Sequence, residues 1–140
     1  AIVAAALTNG IVLQYAAALP EDKRKILYVD TEQSPYHCLK VARRILRMAG
    51  LPTDRDNENL EFLALRKHTP EERIAIVEQA IYRTDNIGLV VIDGIRDMVY
   101  DINSPSEATC IISKLMQWTD ERQIHIHTIL HQLGPESHQT

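Results

Sequence analysis

The fold is decided by the stretch Ile87-Gly88-Leu89-Val90-Val91-Ile92-Asp93, which lies in the second half of the sequence. It places four consecutive large aliphatic residues directly before a carboxylate. A short apolar run of this kind is typical of a strand covered on both faces, because the helices that connect parallel strands lie on both sides of the sheet. The stretch therefore predicts a central parallel strand with Asp93 at its carboxyl end.

Similar stretches on either side predict three further strands. Residues 26–30 (Ile-Leu-Tyr-Val-Asp) and 60–65 (Leu-Glu-Phe-Leu-Ala-Leu) come before it, and residues 124–132 (Ile-His-Ile-His-Thr-Ile-Leu-His-Gln) follow it. Each is short, rich in apolar residues and bounded by polar residues, as strands are. Residues 11–19 fit either a further helix or an extended piece, and their pattern does not decide between the two.

Helical patterns separate these strands. An Ala-rich helix is predicted over residues 1–9, and amphipathic helices are predicted over residues 35–49, over residues 70–83 and from Ser104 onward. Alternating helices and strands predict an α/β domain with a mainly parallel sheet. The apolar sides of the second and fourth helices are predicted to comprise Leu39, Ala42, Ile45, Leu46 and Ala49, and Ile111, Ile112, Leu115, Met116 and Trp118, respectively.

Composition limits the classes of protein that fit. The 140 residues are 45% hydrophobic, which suits one globular domain, and 15 basic against 19 acidic residues give a net charge of -4. This balance excludes a strongly basic protein that binds nucleic acid over its whole surface. Cys38 and Cys110 lie far apart and match no disulfide framework or zinc finger, and no apolar stretch is long enough to predict a membrane span. A cytoplasmic location is expected.

Polar side chains follow three of the predicted strands. Glu32 lies just after the first strand, Asp93 ends the central one, and His131 and Gln132 end the last. In parallel sheets ligands bind beyond the carboxyl ends of the strands, where the connecting loops converge. Two carboxylates and an amide are therefore expected to meet around one ligand.

The order of these stretches resembles that of the RecA-like P-loop ATPases, and most of all the RepA-type hexameric helicases of plasmids and conjugative elements. The matching stretches are Ile26-Leu27-Tyr28-Val29-Asp30-Thr31-Glu32, Leu89-Val90-Val91-Ile92-Asp93 and Ile129-Leu130-His131-Gln132. The resemblance depends on their order and covers residues 1–132, which leaves residues 133–140 as a polar tail. It implies a RecA-like three-layer α/β/α fold.

The resemblance also implies roles for these residues. Asp93 would hold Mg²⁺ through a water molecule, and Glu32 would be the general base that activates the water attacking ATP. Gln132, with His131 beside it, would sense the γ-phosphate. The implied function is ATP hydrolysis coupled to movement on single-stranded DNA, by a homo-oligomeric ring such as a hexamer, during replication or transfer of a mobile element.

The sequence departs from this family at the phosphate loop, Gly-x-x-x-x-Gly-Lys followed by Ser or Thr, because it contains no Gly-Lys pair. In the family this loop and its strand precede the helix predicted over residues 1–9. We therefore expect an incomplete core, and we expect the absent strand to leave two central strands unpaired. The chain is predicted to hydrolyse ATP poorly or not at all.

Each candidate residue also has a simpler interpretation. Asp93 fits a residue that caps a turn, Glu32 fits a solvated turn carboxylate, and Gln132 fits a polar strand end. His125, His127 and His131 share strand parity, which fits either a metal cluster or separate surface and structural histidines.

Two basic features also have two interpretations. The basic helix side formed by Lys40, Arg43, Arg44 and Arg47 fits a solvated face or a contact with nucleic acid. Arg96, in the loop over residues 94–106, fits a position that faces DNA or a neighbouring subunit, as does Asp97.

Two other classes of protein fit the same sequence. One is a non-catalytic regulatory or assembly module that keeps a RecA-like fold, and the other is a small-molecule enzyme built on an unrelated doubly wound sheet. Nucleotide binding by a version extended upstream would separate the first of these from an ATPase.

Overall fold

Four parallel strands form the central sheet, as the sequence predicts. The structure is a computed structural model that describes residues 1–12 and 15–131. In chain order its elements are α1 (Ile2–Thr8), β1 (Ile11–Val12), β2 (Tyr15–Ala16), β3 (Lys25–Asp30), α2 (Pro35–Met48), β4 (Leu60–Ala64), α3 (Pro70–Arg83), β5 (Ile87–Asp93), a 3₁₀ helix (Ile95–Met98), α4 (Pro105–Arg122) and β6 (His125–Ile129).

The strands of the sheet lie in the order β4-β3-β5-β6. Asp30 at the end of β3 is the register partner of Asp93 at the end of β5, and Asp93 is in turn opposite Ile129 of β6. All three inter-strand pairings are parallel. The carboxyl ends of these strands therefore lie together at one edge of the sheet.

The prediction that two central strands are left unpaired is wrong for the described residues. β3 pairs with both β4 and β5, and β5 pairs with β6, so each strand is hydrogen-bonded to the next. The two central strands satisfy each other's backbone groups directly, and the outer strands are β4 and β6.

Helices cover both faces of the sheet, which explains the unbroken apolar run in β5. Val90 and Ile92 lie in one core with residues of α3 and α4, whereas Leu89 and Val91 lie in a second core with residues of α1 and α2. Successive side chains of a strand point to opposite faces, so a strand covered on both sides must be apolar at every position. The arrangement is α/β with helices on both faces of an all-parallel sheet, as a RecA-like three-layer α/β/α fold requires and as other doubly wound folds share.

Side-chain caps are present at the starts of α2 and α3 but not at the start of α4. The Ser34 hydroxyl accepts from the backbone N–H of His37, and Thr69 and Glu72 form a reciprocal capping box at the start of α3. Ser104 occupies the N-cap position of α4, but its side chain makes no capping hydrogen bond.

Three residues predicted to lie on apolar helix sides are instead largely exposed. On α4, Ile112 is 54% and Met116 is 66% exposed, and on α2, Leu39 is 47% exposed. The buried residues of α4 are Ile111 and Trp118, and since each residue advances about 100° around a helix, Ile112 and Met116 lie to the side of that stripe.

Residues 11–19, which fit either a helix or an extended piece, contain the extended alternative, and the predicted loop over residues 94–106 contains a short helix. Within residues 11–19, β1 and β2 form a short antiparallel pair. The loop over residues 94–106 contains the 3₁₀ helix, which buries Ile95 and Met98 in the core.

Candidate functional site

Glu32, Asp93 and His131 converge at the carboxyl edge of the sheet. They follow or end β3, β5 and β6, which are neighbours in the sheet. One side-chain ligand atom from each residue lies within 4.8 Å of the other two. The predicted convergence of the two carboxylates is therefore present, with His131 beside them, whereas the predicted amide of Gln132 lies outside the described residues.

The His131 imidazole lies between the two carboxylates. Its Nε2 is 2.5 Å from Asp93 Oδ1 and 3.4 Å from Glu32 Oε2. The hydrogen bond to Asp93 raises the pKa of His131, burial opposes this, and the negative charges of Glu32 and Asp93 raise it further. The two carboxylates thus favour a positive charge between them, which is the electrostatic condition for binding a cation.

Asp93 is held by a tyrosine that the sequence did not single out. The Tyr28 hydroxyl donates to Asp93 Oδ2 at 2.8 Å, and the Tyr28 ring stacks on Phe62 with centroids 4.5 Å apart. Burial and the hydrogen bond to Asp93 raise the pKa of Tyr28, so its hydroxyl stays protonated and donates. One oxygen of Asp93 is therefore fixed from inside the sheet, and the other points to His131.

Glu32 extends from a turn that Asp30 organises. The buried Asp30 carboxylate accepts the backbone N–H groups of Glu32 and Gln33, both at 2.9 Å. This local bonding uses Asp30 as a structural residue and leaves the Glu32 side chain, which is 46% exposed, available to ligand and solvent.

A buried threonine joins the loops after β3 and β5. The Thr31 hydroxyl is 2.9 Å from both the carbonyl oxygen of Gly94 and Asp97 Oδ2. Gly94 adopts φ +99°, and a Cβ at this position would lie 2.1 Å from Thr31 Oγ1. Only glycine tolerates both this backbone conformation and this close approach.

An arginine of α3 joins the loop after β4 to the loop after β5. Arg73 donates to the carbonyl oxygens of Leu65 and Arg66, after β4, and of Asp97, after β5. Asp97 is therefore engaged inside the protein through its carboxylate and its carbonyl, which does not support the interpretation that it faces DNA or a neighbouring subunit. No sequence pattern indicated these roles of Thr31 and Arg73.

The ligand atoms of the site fit a hard divalent cation. Mg²⁺ prefers carboxylate oxygens and keeps several water molecules, which the partly exposed Glu32 and the 16% exposed Asp93 allow. The nitrogen of His131 would in addition suit Mn²⁺ or Zn²⁺. Asp93 is therefore the residue that would hold the metal, and Glu32 lies beside the position that the metal would take.

The backbone around the cluster fits a triphosphate less well. The N–H group of Thr31 donates to Asp93, those of Glu32 and Gln33 to Asp30, and that of Gly94 to Ile129. Phosphate loops bind through free backbone N–H groups. These four N–H groups are therefore not free to bind phosphate, and the loops after β3 and β5 offer a cation site instead.

The remaining predicted residues lie elsewhere or outside the described part of the chain. Gln132 and the tail over residues 133–140 lie outside the described residues. His125 is exposed and His127 half-buried, and neither belongs to the cluster formed by His131. Of the two interpretations of the histidines, His125 and His127 therefore fit separate surface and structural residues.

The buried Cys38 thiol lies near this edge of the sheet and contacts the carbonyl oxygen of Gln33. Burial, together with the charges of Asp30 and Asp93, raises the pKa of the Cys38 thiol to about 11. The thiol therefore stays protonated near neutral pH.

Comparison with models of known protein families and with curated proteins gave no match. Within residues 1–12 and 15–131, no helix combines the length and the apolar character needed to cross a bilayer.

Proposed function

We propose that this chain is the core of a RecA-like ATPase, in which Asp93 holds Mg²⁺ and Glu32 activates the attacking water. The observation that carries the proposal is the convergence of Glu32, Asp93 and His131 within 4.8 Å, on neighbouring parallel strands. Ligands of open parallel sheets bind at this edge. The order of the motifs along the chain supplies the reaction class.

The two carboxylates differ in a way that suits two roles. Asp93 is mostly buried and fixed by Tyr28, as a residue that positions a metal should be. Glu32 is more exposed and extends from a fixed turn, so it can orient a water molecule and accept its proton. When bound, Mg²⁺ would neutralise charge that develops on the phosphates.

The proposal extends to DNA and to assembly by resemblance alone. In the family, ATP hydrolysis in a ring drives movement on single-stranded DNA, and we propose the same coupling for the whole protein. The phosphates would be held by a Gly-Lys loop that this sequence does not contain.

One observation favours a non-catalytic module as the second candidate. The N–H groups of Thr31, Glu32, Gln33 and Gly94 bond to acceptors within the protein, which favours binding of a cation without a nucleotide. On this second proposal the cluster would stabilise the fold or an assembly by binding a cation.

Nucleotide binding separates the two candidates. The protein should be prepared with the residues that precede Ala1 in its gene, and Mg²⁺-dependent ATP hydrolysis should be measured beside the 140-residue chain. An ATPase predicts binding and turnover by the extended protein and little or none by the shorter chain. Failure of the extended protein to bind ATP or any other nucleoside triphosphate would favour the non-catalytic module.

The Tyr28→Phe variant tests whether Tyr28 positions Asp93. It keeps the ring that stacks on Phe62 but removes the hydroxyl that donates to Asp93. Loss of such an outer hydrogen bond to a metal ligand typically costs about tenfold or more in affinity, so we expect Mn²⁺ binding, measured by electron paramagnetic resonance, to weaken by about tenfold.

The matched control is Tyr82→Phe, which removes a hydroxyl that donates to Glu121 far from the site. It should leave Mn²⁺ affinity unchanged. Equal affinities in the wild type and in Tyr28→Phe would show that Tyr28 does not position Asp93.

A further inference from the structure

Helix α2 carries a basic face that the proposed site does not use. The face consists of Lys40, Arg43, Arg44 and Arg47, all of which are exposed. The helix holds four of the 15 lysines and arginines of the chain and none of its 19 acidic residues. In a chain of net charge -4, this is a local concentration of positive charge.

These four side chains are not neutralised within the protein. Among residues 1–12 and 15–131, none of them forms a salt bridge, whereas Lys114 of α4 pairs with Glu78 and Arg122 with Asp85. Arg43 lines a surface pocket together with Asp54, Asp56 and Glu58, yet it pairs with none of them, and unpaired cations remain able to attract an external anion. The face therefore retains its charge for a partner.

The spacing of the four residues places them along one side of the helix. They stand at positions i, i+3, i+4 and i+7, which span about 10 Å along the axis at a rise of 1.5 Å per residue. The opposite side of α2 buries Cys38, Ile45 and Leu46 against the rest of the protein. The cations consequently form a row that faces solvent.

An exposed aromatic ring lies at the start of this row. The Tyr36 side chain is 64% exposed, and the Lys40 ammonium lies 4.8 Å from the centre of its ring. Exposed aromatic rings beside cations are the elements on which nucleic-acid bases stack while the cations bind the phosphates.

We propose that this face of α2 binds the phosphate backbone of a single-stranded nucleic acid. Three of the four cations are arginines, whose planar guanidinium groups bind phosphate oxygens through two hydrogen bonds. A phosphate backbone presents a row of negative charges that matches the row on the helix, and Tyr36 supplies a stacking surface at one end. The inference adds a specific binding surface that the proposed function does not assign, and it is argued from the residues of α2 and not from the resemblance.

The same geometry disfavours a membrane as the partner. A helix that binds a bilayer surface inserts its apolar side among the lipids. The apolar side of α2 already packs in the core that contains Ile45 and Leu46, so it is not available for insertion. An anionic lipid surface also presents phosphates, so the experiment compares binding to nucleic acid with binding to lipid vesicles.

The experiment compares two double variants with the same change of charge. Arg44→Gln with Arg47→Gln removes two cations from the basic face, and Lys67→Gln with Arg83→Gln removes two exposed cations elsewhere. Binding of a fluorescent oligo-dT to the 140-residue chain is followed by anisotropy over a range of salt concentrations, and circular dichroism verifies folding.

For single strands each phosphate contact contributes about 0.7 to the slope of log K against log salt, so the first variant should reduce the slope by about 1.4 and weaken binding at low salt. The control should keep the wild-type slope. The proposal would be overturned if both double variants lost oligo-dT affinity equally or if the wild type did not bind oligo-dT. Tighter binding to phosphatidylserine vesicles than to oligo-dT would also overturn it.

Discussion

Replacement of Glu32 by Gln is expected to reduce ATP turnover of the upstream-extended protein by about 10²- to 10⁴-fold, the range over which general bases contribute to catalysis. The amide has the size of the carboxylate but cannot accept the proton of the attacking water. The effect should fall on kcat, because the proton transfer that the carboxylate would carry out occurs only in the chemical step.

The control for this prediction is Glu61→Gln. Glu61 is similarly exposed, at 40%, but lies on β4 and pairs with Lys25 instead of joining the cluster. The ATP turnover of Glu61→Gln should match that of the wild type. If Glu32→Gln also retained wild-type turnover, Glu32 would not be the general base, and the carboxylate would be a solvated turn residue.

The Gly94→Ala variant is expected to lose about 2–4 kcal/mol of unfolding free energy, from left-handed backbone strain together with overpacking. The added Cβ would lie 2.1 Å from Thr31 Oγ1, and Thr31 is buried and bonded to the loop after β5. The Thr31 side chain therefore cannot move away from the added Cβ without breaking its hydrogen bond to Asp97. Urea unfolding measures the loss.

Gly50→Ala is a close control for the strain alone. Gly50 also has a positive φ of +72°, but an added Cβ would meet no atom within 4 Å. The Gly50→Ala variant should lose about 1–2 kcal/mol of unfolding free energy, as expected for left-handed backbone strain without a steric overlap. Equal losses for the two alanine variants would contradict the role of the contact with Thr31.

A second control tests the Thr31 contact directly. Combining Thr31→Ala with Gly94→Ala removes the oxygen that the new Cβ would meet, so the losses of the single variants should not add. Additive losses would show that the overlap with Thr31 does not destabilise Gly94→Ala.

The parts of the fold that depend on local pattern were predictable. The first six residues of β5 are all aliphatic or glycine because helices cover both faces of the strand. This pattern is visible in the sequence. The capping box at Thr69 is equally local, since its two partners are three residues apart. Such features depend on neighbours in the chain.

The convergence at the site was predictable from topology. Parallel strands end at one edge, so residues that follow neighbouring strands must lie close together, as Glu32 and Asp93 do. The position of Gln132 remains a prediction, since it lies outside the described residues.

The residues that support the site depend on contacts between distant segments. Tyr28 is 65 positions from Asp93, and the hydroxyl of Thr31 bonds to a carboxylate 66 positions away. Nothing in either local pattern indicates such a partner. The same limit explains the predicted gap in the sheet, because the sequence does not determine which strands are neighbours.

The exposed residues of α4 show a further limit. Ile112 and Met116 are apolar and sit beside the buried stripe, so periodicity alone assigned them to the core. Whether an apolar residue at the side of a stripe is covered depends on the distance of the next element, which a single sequence does not reveal.

The central claim is that Asp93 holds a divalent cation within the cluster of Glu32, Asp93 and His131, and paramagnetic broadening by Mn²⁺ tests it most directly. Substoichiometric Mn²⁺ added to the ¹⁵N-labelled chain should first broaden the backbone amide signals of Glu32, Gly94 and His131, because a bound ion would lie beside all three residues. Asp93→Asn should abolish this broadening, and excess Mg²⁺ should reverse it. Broadening that begins elsewhere, or that persists unchanged in Asp93→Asn, would contradict the claim.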